Sequence, residues 1–353
     1  MDYGPRLKKY LDEAIDKYAS DLLISVNHPP ALRITGQLTS IEKERNITAE
    51  DAKGLAFQLM TEDQQKTLLA QKEIDFSYDF EDKARFRVNI FFQQGYLSLA
   101  LRTIPTKIKT IEELKLPATL HEFTGKSQGL ILVTGASGQG KSTTLAAMID
   151  EINHTRSAHI ITIEDPIEYL YTSDRSIVDQ REVSIDTESF PTALKAIFRQ
   201  NPDVIMVGEM RDLETISTAI TAAETGHLVF ATLHTNSASQ SIHRMIDVFP
   251  ADQQNQIRFQ LAGSLVAVVS QRLVPRFGGG FVPVCEVMIC NPAISNLIRE
   301  NKTHEIPSVL ETSVKEDMSS FNRSLSELVK KKEVSPQDAA KYSINPQDLK
   351  NLL

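Results

Sequence analysis

The first hundred residues alternate between helical and extended hydrophobic patterns. Apolar residues at helical spacing, from Leu7 to Tyr18, predict a helix over residues 6–20, and a second helical pattern covers residues 49–70. Apolar–polar alternation and short apolar runs predict strands at residues 21–26, at 31–38 as a hairpin turning at Gly36, and at 74–80, 85–91 and 97–101. This part of the chain therefore predicts an α+β domain built on an antiparallel sheet.

The pattern changes from Leu130 onward, where continuous apolar runs alternate with helical segments. These runs predict buried strands at residues 130–133, 160–163, 204–207, 228–232 and 282–288. Fully apolar strands separated by helices are typical of a parallel sheet that is covered on both faces. After residue 290 the pattern is mostly helical. The second part of the chain therefore predicts an α/β domain.

Composition and charge narrow the class of protein. The chain has 353 residues, which is enough for two domains with separate cores. A formal net charge of −8 argues against a protein that binds nucleic acid through its overall field. The two cysteines, Cys285 and Cys290, cannot form a four-ligand zinc site, and no apolar segment near the N-terminus resembles a signal peptide. We expect a cytoplasmic protein, and we interpret the lysine run 330–332 as a solvated helix end.

Residues 135–142 form a complete G-x-x-x-x-G-K-[ST] pattern, the phosphate-binding loop or P-loop, between a predicted strand and a predicted helix. Glycines let backbone N–H groups converge on phosphates, and the helix N-terminus adds a favourable dipole. Lys141 is expected to reach the β- and γ-phosphates of ATP, and the Ser142 hydroxyl to bind Mg²⁺. A chance match is expected in roughly one chain in a hundred of this size, but the strand–turn–helix context favours nucleotide binding. The predicted nucleotide-binding residues are Gly135, Ser137, Gly138, Gly140, Lys141, Ser142 and Thr143.

Glu209 follows the apolar strand predicted at residues 204–207. A carboxylate at the end of such a strand, downstream of a P-loop, is typical of the acid that holds Mg²⁺ through bound water. The alternative interpretation is an acid that caps the next helix. The sequence therefore predicts Glu209 and Ser142 as the residues that bind the metal.

Two further predicted strands are each followed by a polar residue whose side chain is able to take part in catalysis. Glu164 follows the strand at residues 160–163, where it would act as a general base or position the attacking water. His234 follows the strand at residues 228–232, where it would sense the γ-phosphate, although a histidine at a strand end is often only a structural residue. Because ligands bind at the carboxyl edge of parallel strands, we expect both side chains near the P-loop.

Four segments occur together and in the same order as in a known family. They are the P-loop, Ile-Glu-Asp-Pro-Ile-Glu at 163–168, Val-Gly-Glu-Met-Arg-Asp at 207–212 and Thr-Leu-His-Thr-Asn at 232–236. The set resembles the type II/IV secretion ATPase superfamily, and within it the type IV pilus retraction ATPases of the twitching-motility PilT/PilU type. Further matching segments lie at residues 20–22, 85–89, 101–105, 180–183 and 293–300.

The resemblance implies a fold and a division of the chain. It implies an α/β protein with a PAS-like α+β N-terminal domain at residues 1–103 and a linker at 104–116. A RecA-like P-loop ATPase domain would cover residues 117–353, with C-terminal helices from about 291. In the family, arginines of the N-terminal domain reach the phosphates, and the residues that match by motif are Arg87 and Arg102. The implied catalytic residues are Glu164, Glu209, His234, Arg87 and Arg102.

The resemblance also implies an activity and partners. It implies a motor that hydrolyses ATP with Mg²⁺ to power pilus retraction. The implied assembly is a homohexamer in the cytoplasm, peripheral at the inner membrane through the pilus machinery. An inner-membrane pilus platform protein is the implied partner, with a paralogous retraction ATPase as a further one. No nucleic-acid partner is expected.

The chain departs from the family pattern at two positions. Ser295 stands where the family's motif at residues 293–300 carries arginine, and Leu23 stands where retraction ATPases often carry histidine. Ile185–Phe190 is more similar to the PilU branch, while Gly208–Asp212 is more similar to the PilT branch. An accessory PilU-like motor that works with a paralogue is therefore an open alternative. A pilus-assembly or secretion ATPase is the other. Those relatives are longer, and many carry a tetracysteine zinc module, which two cysteines cannot form.

Overall fold

The computed structural model describes residues 3–34, 36–81, 83–104, 107–313 and 317–353. These residues form two compact units. The first comprises the described residues as far as Lys107 together with Pro166–Leu170, and the second comprises Ile108–Asp165 and Tyr171–Leu353. Pro105, part of the matching segment 101–105 and of the predicted linker, lies outside the described residues. The predicted domain boundaries stay predictions.

The first unit is built on a six-stranded antiparallel sheet in the order β3-β2-β1-β6-β5-β4. Leu22 and Ile24 of its first strand point into the core while their neighbours are half-buried, in the segment where the sequence predicted a strand. Its elements are α1 Gly4–Asp16, β1 Asp21–Ile24, β2 Ala31–Ile34, β3 Gln37–Ser40, α2 Ala49–Leu59, α3 Glu62–Gln71, β4 Glu73–Phe80, β5 Ala84–Gln93 and β6 Tyr96–Ile104.

Two sequence predictions in this unit were wrong in detail. The single helix predicted over residues 49–70 is two helices, because Thr48 and Thr61 each begin a helix with a capping box. Thr61 Oγ1 accepts from the Gln64 N–H at 3.3 Å, and Gln64 Oε1 accepts from the Thr61 N–H at 2.9 Å. Tyr18, assigned to the first helix, lies beyond its end with a φ of 51° and a solvent-exposed ring.

The second unit contains a seven-stranded sheet in the order β13-β12-β7-β11-β10-β8-β9. All neighbouring pairs are parallel except β12 with β13. Its elements are α4 Leu120–Thr124, β7 Gly129–Thr134, α5 Lys141–Thr155, β8 His159–Glu164, β9 Ile177–Glu182, α6 Phe190–Ile197, β10 Val204–Val207, α7 Leu213–Glu224, β11 Leu228–Leu233, α8 Ala238–Asp247, α9 Gln254–Ser264, β12 Leu265–Pro275, β13 Phe281–Ile289, α10 Pro292–Arg299, a 3₁₀ turn Thr303–Glu305, α11 Ile306–Thr312, α12 Phe321–Lys330, α13 Pro336–Tyr342 and α14 Pro346–Leu352.

Both faces of the larger sheet are covered by apolar side chains. Along β7, Leu130 and Leu132 pack into one hydrophobic cluster, and Ile131 and Val133 pack into another. This arrangement confirms the prediction of a buried parallel sheet, except that the strand predicted at residues 282–288, which is β13, runs antiparallel to β12. The sequence analysis missed β9, which is mostly polar, and β12, which was not recognised as a strand. No helix within the described ranges combines the length and apolar character needed to cross a lipid bilayer.

The strand order places four carboxyl ends side by side. β7, β11, β10 and β8 are consecutive neighbours and run parallel, with Val207 opposite Ile163 on one side and Ala231 on the other. The Gly208 N–H donates to the Ile163 carbonyl at 2.8 Å, which holds the two strand ends together just past the sheet. The residues that follow these four strands therefore share one edge.

Candidate nucleotide-binding site

The loop between β7 and α5 has the backbone shape of a phosphate-binding loop. Gly135, Gly138 and Gly140 have φ values of 150°, 76° and 81°, which residues with a Cβ rarely adopt. Gly140 is the N-cap of α5 and provides no side-chain acceptor for the first N–H groups of the helix. Ser142 and Thr143 lie half-buried in that first turn. An anion at this helix end would meet both N–H donors and the favourable end of the helix dipole.

Lys141 is buried at the mouth of this loop. Its ammonium donates to the carbonyl oxygens of Gly135 at 2.8 Å and of Ala136 at 3.1 Å. These contacts fold the side chain back along the loop rather than into solvent. The structure therefore places a fixed positive charge beside the helix N-terminus, where the sequence analysis predicted it.

Gln139 and Gln271 connect the loop to strand β12. Gln271 Nε2 donates to the Gln139 carbonyl at 2.8 Å, and the Leu273 N–H donates to Gln139 Oε1 at 2.7 Å. Gln271 is itself buried, and its Oε1 accepts from Thr144 Oγ1 at 2.7 Å. A Cβ on Gly135 would lie 2.5 Å from the Gln271 carbonyl oxygen, so this glycine is also needed for close packing. Two amide side chains thus fix the loop against the sheet.

Sequence reasoning missed Gln271 because it did not identify β12 as a strand. The available signal was the polar triplet Ser270-Gln271-Arg272 inside an otherwise apolar run. A polar side chain within a buried strand requires a hydrogen-bond partner, and here the P-loop supplies it.

Glu164 lies at the end of β8 and is buried. Its Oε1 accepts from Thr162 Oγ1 at 2.8 Å and from Gln180 Nε2 at 3.2 Å. Both of these donors are neutral groups, and together they fix the orientation of the carboxylate. A carboxylate that is held in one orientation at a sheet edge can accept a proton from a water molecule or position that water.

Glu209 lies two residues beyond β10 and contacts the side chains of Arg211 and His234. Its Oε1 is 2.6 Å from Arg211 Nε and 3.0 Å from His234 Nε2. Partial burial acts to raise the pKa of Glu209. The hydrogen bond from Arg211 and the charges of His234, Arg211 and Lys141 outweigh burial and hold this pKa below its usual value. Glu209 is therefore an ionised carboxylate close to the P-loop lysine.

His234 connects this carboxylate to the P-loop. It follows β11, and its second ring nitrogen, Nδ1, is 3.4 Å from Ser137 Oγ. The structure therefore brings together Ser137, Lys141, Glu209 and His234, which the sequence analysis had assigned to one site. Glu164 lies at the end of the neighbouring strand β8 on the same sheet edge.

Arg87 and Arg102 belong to the first unit. They are direct partners across the β5–β6 pair. Arg102 Nε lies 3.1 Å from Asp21 Oδ1, and Arg87 Nε lies 3.8 Å from Asp75 Oδ1. Both guanidinium groups are substantially solvent-exposed. Their predicted role at a nucleotide stays a prediction.

The residues of the second unit fit a magnesium-bound nucleotide. The loop supplies N–H donors at an uncapped helix end, Lys141 supplies a fixed cation, and Ser142 supplies a hydroxyl in the first turn. Glu209 is an ionised oxygen ligand of the kind that Mg²⁺ prefers, directly or through water. This donor set is what a phosphate chain and a hard divalent cation require.

Comparison with known proteins gives consistent matches. The family model described as type II/IV secretion system protein matches residues 4–309. The type IV pilus retraction ATPase PilT of Pseudomonas aeruginosa is 44% identical over 330 residues, which is 94% of this chain and 96% of that protein. The type IV pilus ATPase PilU of the same organism is 39% identical over 347 residues, covering 98% of this chain and 91% of PilU. A crystal structure of the pilus retraction motor PilT with bound ADP superimposes with a TM-score of 0.91 at 46% identity, covering 98% of each chain.

Proposed function

Because the chain belongs to the family of type II/IV secretion system proteins, and within it to the type IV pilus retraction ATPases, we propose that it hydrolyses ATP to power pilus retraction and twitching motility. The observation that carries this proposal is that Lys141, Glu209 and His234 lie close together beside the N-terminus of α5, which no side chain caps. The solved relative that binds ADP is itself a pilus retraction motor.

The P-loop residues bind and orient the nucleotide. When bound, Mg·ATP supplies the γ-phosphoryl group that passes to water and a metal charge that offsets the phosphate charges. The loop N–H groups and Lys141 hold the phosphates, and Ser142 with Glu209 holds the metal ion, the latter through water. The contacts from Gln139 and Gln271 keep the loop in this shape before nucleotide arrives.

Glu164 acts on the water molecule that attacks the γ-phosphate. Its carboxylate is buried at the end of β8, and Thr162 and Gln180 hold it in one orientation. It accepts a proton from the attacking water, or positions that water, as the phosphoryl group transfers. His234 senses the γ-phosphate, because its ring already lies between Ser137 of the loop and Glu209.

Arg87 and Arg102 complete the catalytic proposal. A guanidinium stabilises the charge that spreads over the phosphoryl oxygens in the transition state. The support is the match of both residues to the family motifs and their adjacency across β5 and β6. Arg102 already donates a hydrogen bond to Asp21, and Arg87 lies within ion-pair distance of Asp75, and phosphate oxygens would offer the same kind of negative acceptor.

We also propose the oligomer in which the ATPase acts. Identical head-to-tail contacts between subunits are all satisfied when the subunits close into a ring, and the family resemblance favours a homohexamer. Its partner would be an inner-membrane pilus platform protein, with the ring in the cytoplasm and peripheral at the membrane. A paralogous retraction ATPase is the second proposed partner.

One observation favours the accessory, PilU-like alternative. Ser295 on α10, which replaces the family's arginine, donates to the Ala262 carbonyl at 3.1 Å and lies 3.3 Å from Cys290 Sγ. This side chain is turned toward its own domain and carries no charge. In this alternative the motor retracts pili only alongside a paralogue.

A deletion strain tests the function. If the protein is a retraction motor, cells that lack it keep or accumulate surface pili and lose twitching motility. If it is accessory, motility falls only under load while pili persist. Complementation with Lys141→Ala should fail in both cases. A deletion strain with no surface pili at all would contradict the proposal and assign the chain to pilus assembly.

A further inference from the structure

The hairpin between β12 and β13 carries two exposed aromatic side chains. Phe277 is 75% exposed and Phe281 is 66% exposed. Between them, Gly278–Gly280 all have positive φ, so the tip is a tight turn of three glycines with no side chains to cover the rings. Exposed apolar side chains that lie together on a protein surface mark interaction sites, whereas isolated ones are ordinary. This tip has no part in the nucleotide site.

The hairpin is fixed beside the lysine run 330–332. The Phe277 N–H donates to the Glu333 carbonyl at 2.7 Å, and Arg276 Nε lies 2.5 Å from Glu333 Oε2. Lys115 Nζ lies 2.5 Å from the other oxygen of the same carboxylate. Glu333 therefore anchors the base of the hairpin against the end of α12, where the lysines lie.

A cleft of about 430 Å³ lies along the same surface. Its lining includes Pro283, two residues along β13 from Phe281, and the cations Arg323 and Lys331 of α12 and its end. The acids Asp317 and Glu327 line it as well. Residues two apart on a strand share a face, so the cleft adjoins Phe281. Within the part of the chain that the structure describes, the side chains of Arg323, Lys331 and Lys332 form no ion pair. These charges are available to an anionic partner.

We propose that this hairpin and its cationic surroundings bind the surface of an anionic phospholipid membrane directly. Phe277 and Phe281 would enter the interfacial region of the bilayer, where aromatic rings are favourable. Arg323, Lys331 and Lys332 would contact the headgroup phosphates, as juxtamembrane basic clusters do.

Charge and shape favour a membrane over a protein partner. The chain as a whole has a net charge of −8, which an anionic surface repels, so attraction to such a surface depends on this local cluster of cations. The two rings stand on a convex tip, which a fluid bilayer accepts without a matching pocket. The inference goes beyond the proposed motor function and does not depend on it, because membrane binding needs no nucleotide.

The test is sedimentation of the full-length protein with lipid vesicles, without nucleotide. We expect at least about fivefold more binding to phosphatidylcholine vesicles that contain phosphatidylglycerol than to phosphatidylcholine alone, decreasing with added salt. The double variant Phe277→Ser/Phe281→Ser and the double variant Lys331→Glu/Lys332→Glu should each remove most of this binding. Phe259→Ser is the matched control, since Phe259 on α9 is 64% exposed and lies outside the hairpin.

Three results would overturn the proposal. The first is equal sedimentation with anionic and neutral vesicles. The second is a loss of binding by Phe259→Ser as large as that of the hairpin variant. The third is an altered molar mass of the Phe277→Ser/Phe281→Ser protein in light scattering with vesicle binding unchanged, which would identify the tip as an interface between copies of this chain. Circular dichroism and ATP hydrolysis without vesicles show that each variant is folded.

Discussion

The charged side chains beside the P-loop, at the edge of the seven-stranded sheet, are more buried and more hydrogen-bonded than the two arginines on the six-stranded sheet. Lys141 and Glu164 are buried, and each makes at least two hydrogen bonds within the protein. Arg102 has a side chain that is 69% exposed and Arg87 one that is 38% exposed, each facing a single carboxylate. The first set is held in place before any ligand binds. The second set is free to change partners.

This difference predicts different kinetic roles. Groups that are fixed in advance contribute to binding and to the chemical step without reorganisation. Exposed arginines in single ion pairs with carboxylates exchange those pairs at little cost, because surface ion pairs contribute about 0–1 kcal/mol. They are therefore suited to act only in the transition state, when charge develops on the transferred group. Variants of the two sets should differ accordingly in their kinetics.

Lys141→Ala should have the largest effect. It removes the fixed cation beside the helix N-terminus, and we expect ATP hydrolysis below detection and a large loss of nucleotide affinity. The fold should persist, because the two carbonyl groups that the ammonium contacts lie at the edge of the loop. The measurements are phosphate release and binding of a fluorescent nucleotide. Lys195→Ala, on the surface of the same unit, is the control. Normal turnover by folded Lys141→Ala would refute the site.

Glu164→Gln should lower kcat by up to about 10⁴-fold, the upper end of what a general base contributes, while Mg·ATP binding persists. The amide keeps the size of the side chain but cannot accept a proton. Glu209→Gln is the paired variant, and there we expect weaker dependence on Mg²⁺ and weaker nucleotide binding, because an ionised ligand is lost. Titration calorimetry separates the two. The opposite pattern would mean that the two carboxylates exchange roles.

Arg102→Ala should lower kcat by about 10³-fold, the lower end of the contribution of an arginine to phosphoryl transfer, and should change KM less. Arg33→Ala is a close control, because Arg33 Nε lies 3.4 Å from Asp21, which also pairs with Arg102. If both variants lose the same activity, the effect comes from Asp21 and the sheet, and the contrast between buried and exposed charges would not hold.

Much of the fold and most of the candidate site followed from local sequence signals. The strands that end near Glu164, Glu209 and His234 were predicted because their apolar runs are continuous, and the P-loop because its spacing is strict. The resemblance to the retraction ATPase family was confirmed by the relatives and the structural match. Burial periodicity and motif spacing are both local properties, and a single sequence displays them.

The parts that sequence reasoning missed depend on contacts between distant segments or on hydrogen bonds that a hydrophobic pattern does not show. β9 is an edge strand whose residues are largely polar, so it lacks the apolar run on which the prediction relied. The helix break at Thr61 depends on two capping hydrogen bonds, and a helical period continues across it. Gln271 braces a loop more than 130 positions earlier in the chain, and only the fold brings the two together.

Gln271→Met should have the smallest of these effects and should act on binding. It removes the donor to the Gln139 carbonyl and the acceptor for Thr144 Oγ1 while keeping a similar volume. An unsatisfied buried polar group costs about 1–3 kcal/mol, so we expect KM for ATP to rise by about tenfold as the loop loses its preferred shape, with kcat nearly unchanged. Ser270→Ala, one position earlier on β12, removes a hydrogen bond to Thr134 without touching Gln139 and should leave KM near the wild-type value. Nucleotide affinity measured without hydrolysis distinguishes a positioned loop from a general loss of stability. A variant with lower melting temperature but unchanged nucleotide affinity would show that Gln271 supports only the sheet, and that the P-loop keeps its shape without the brace.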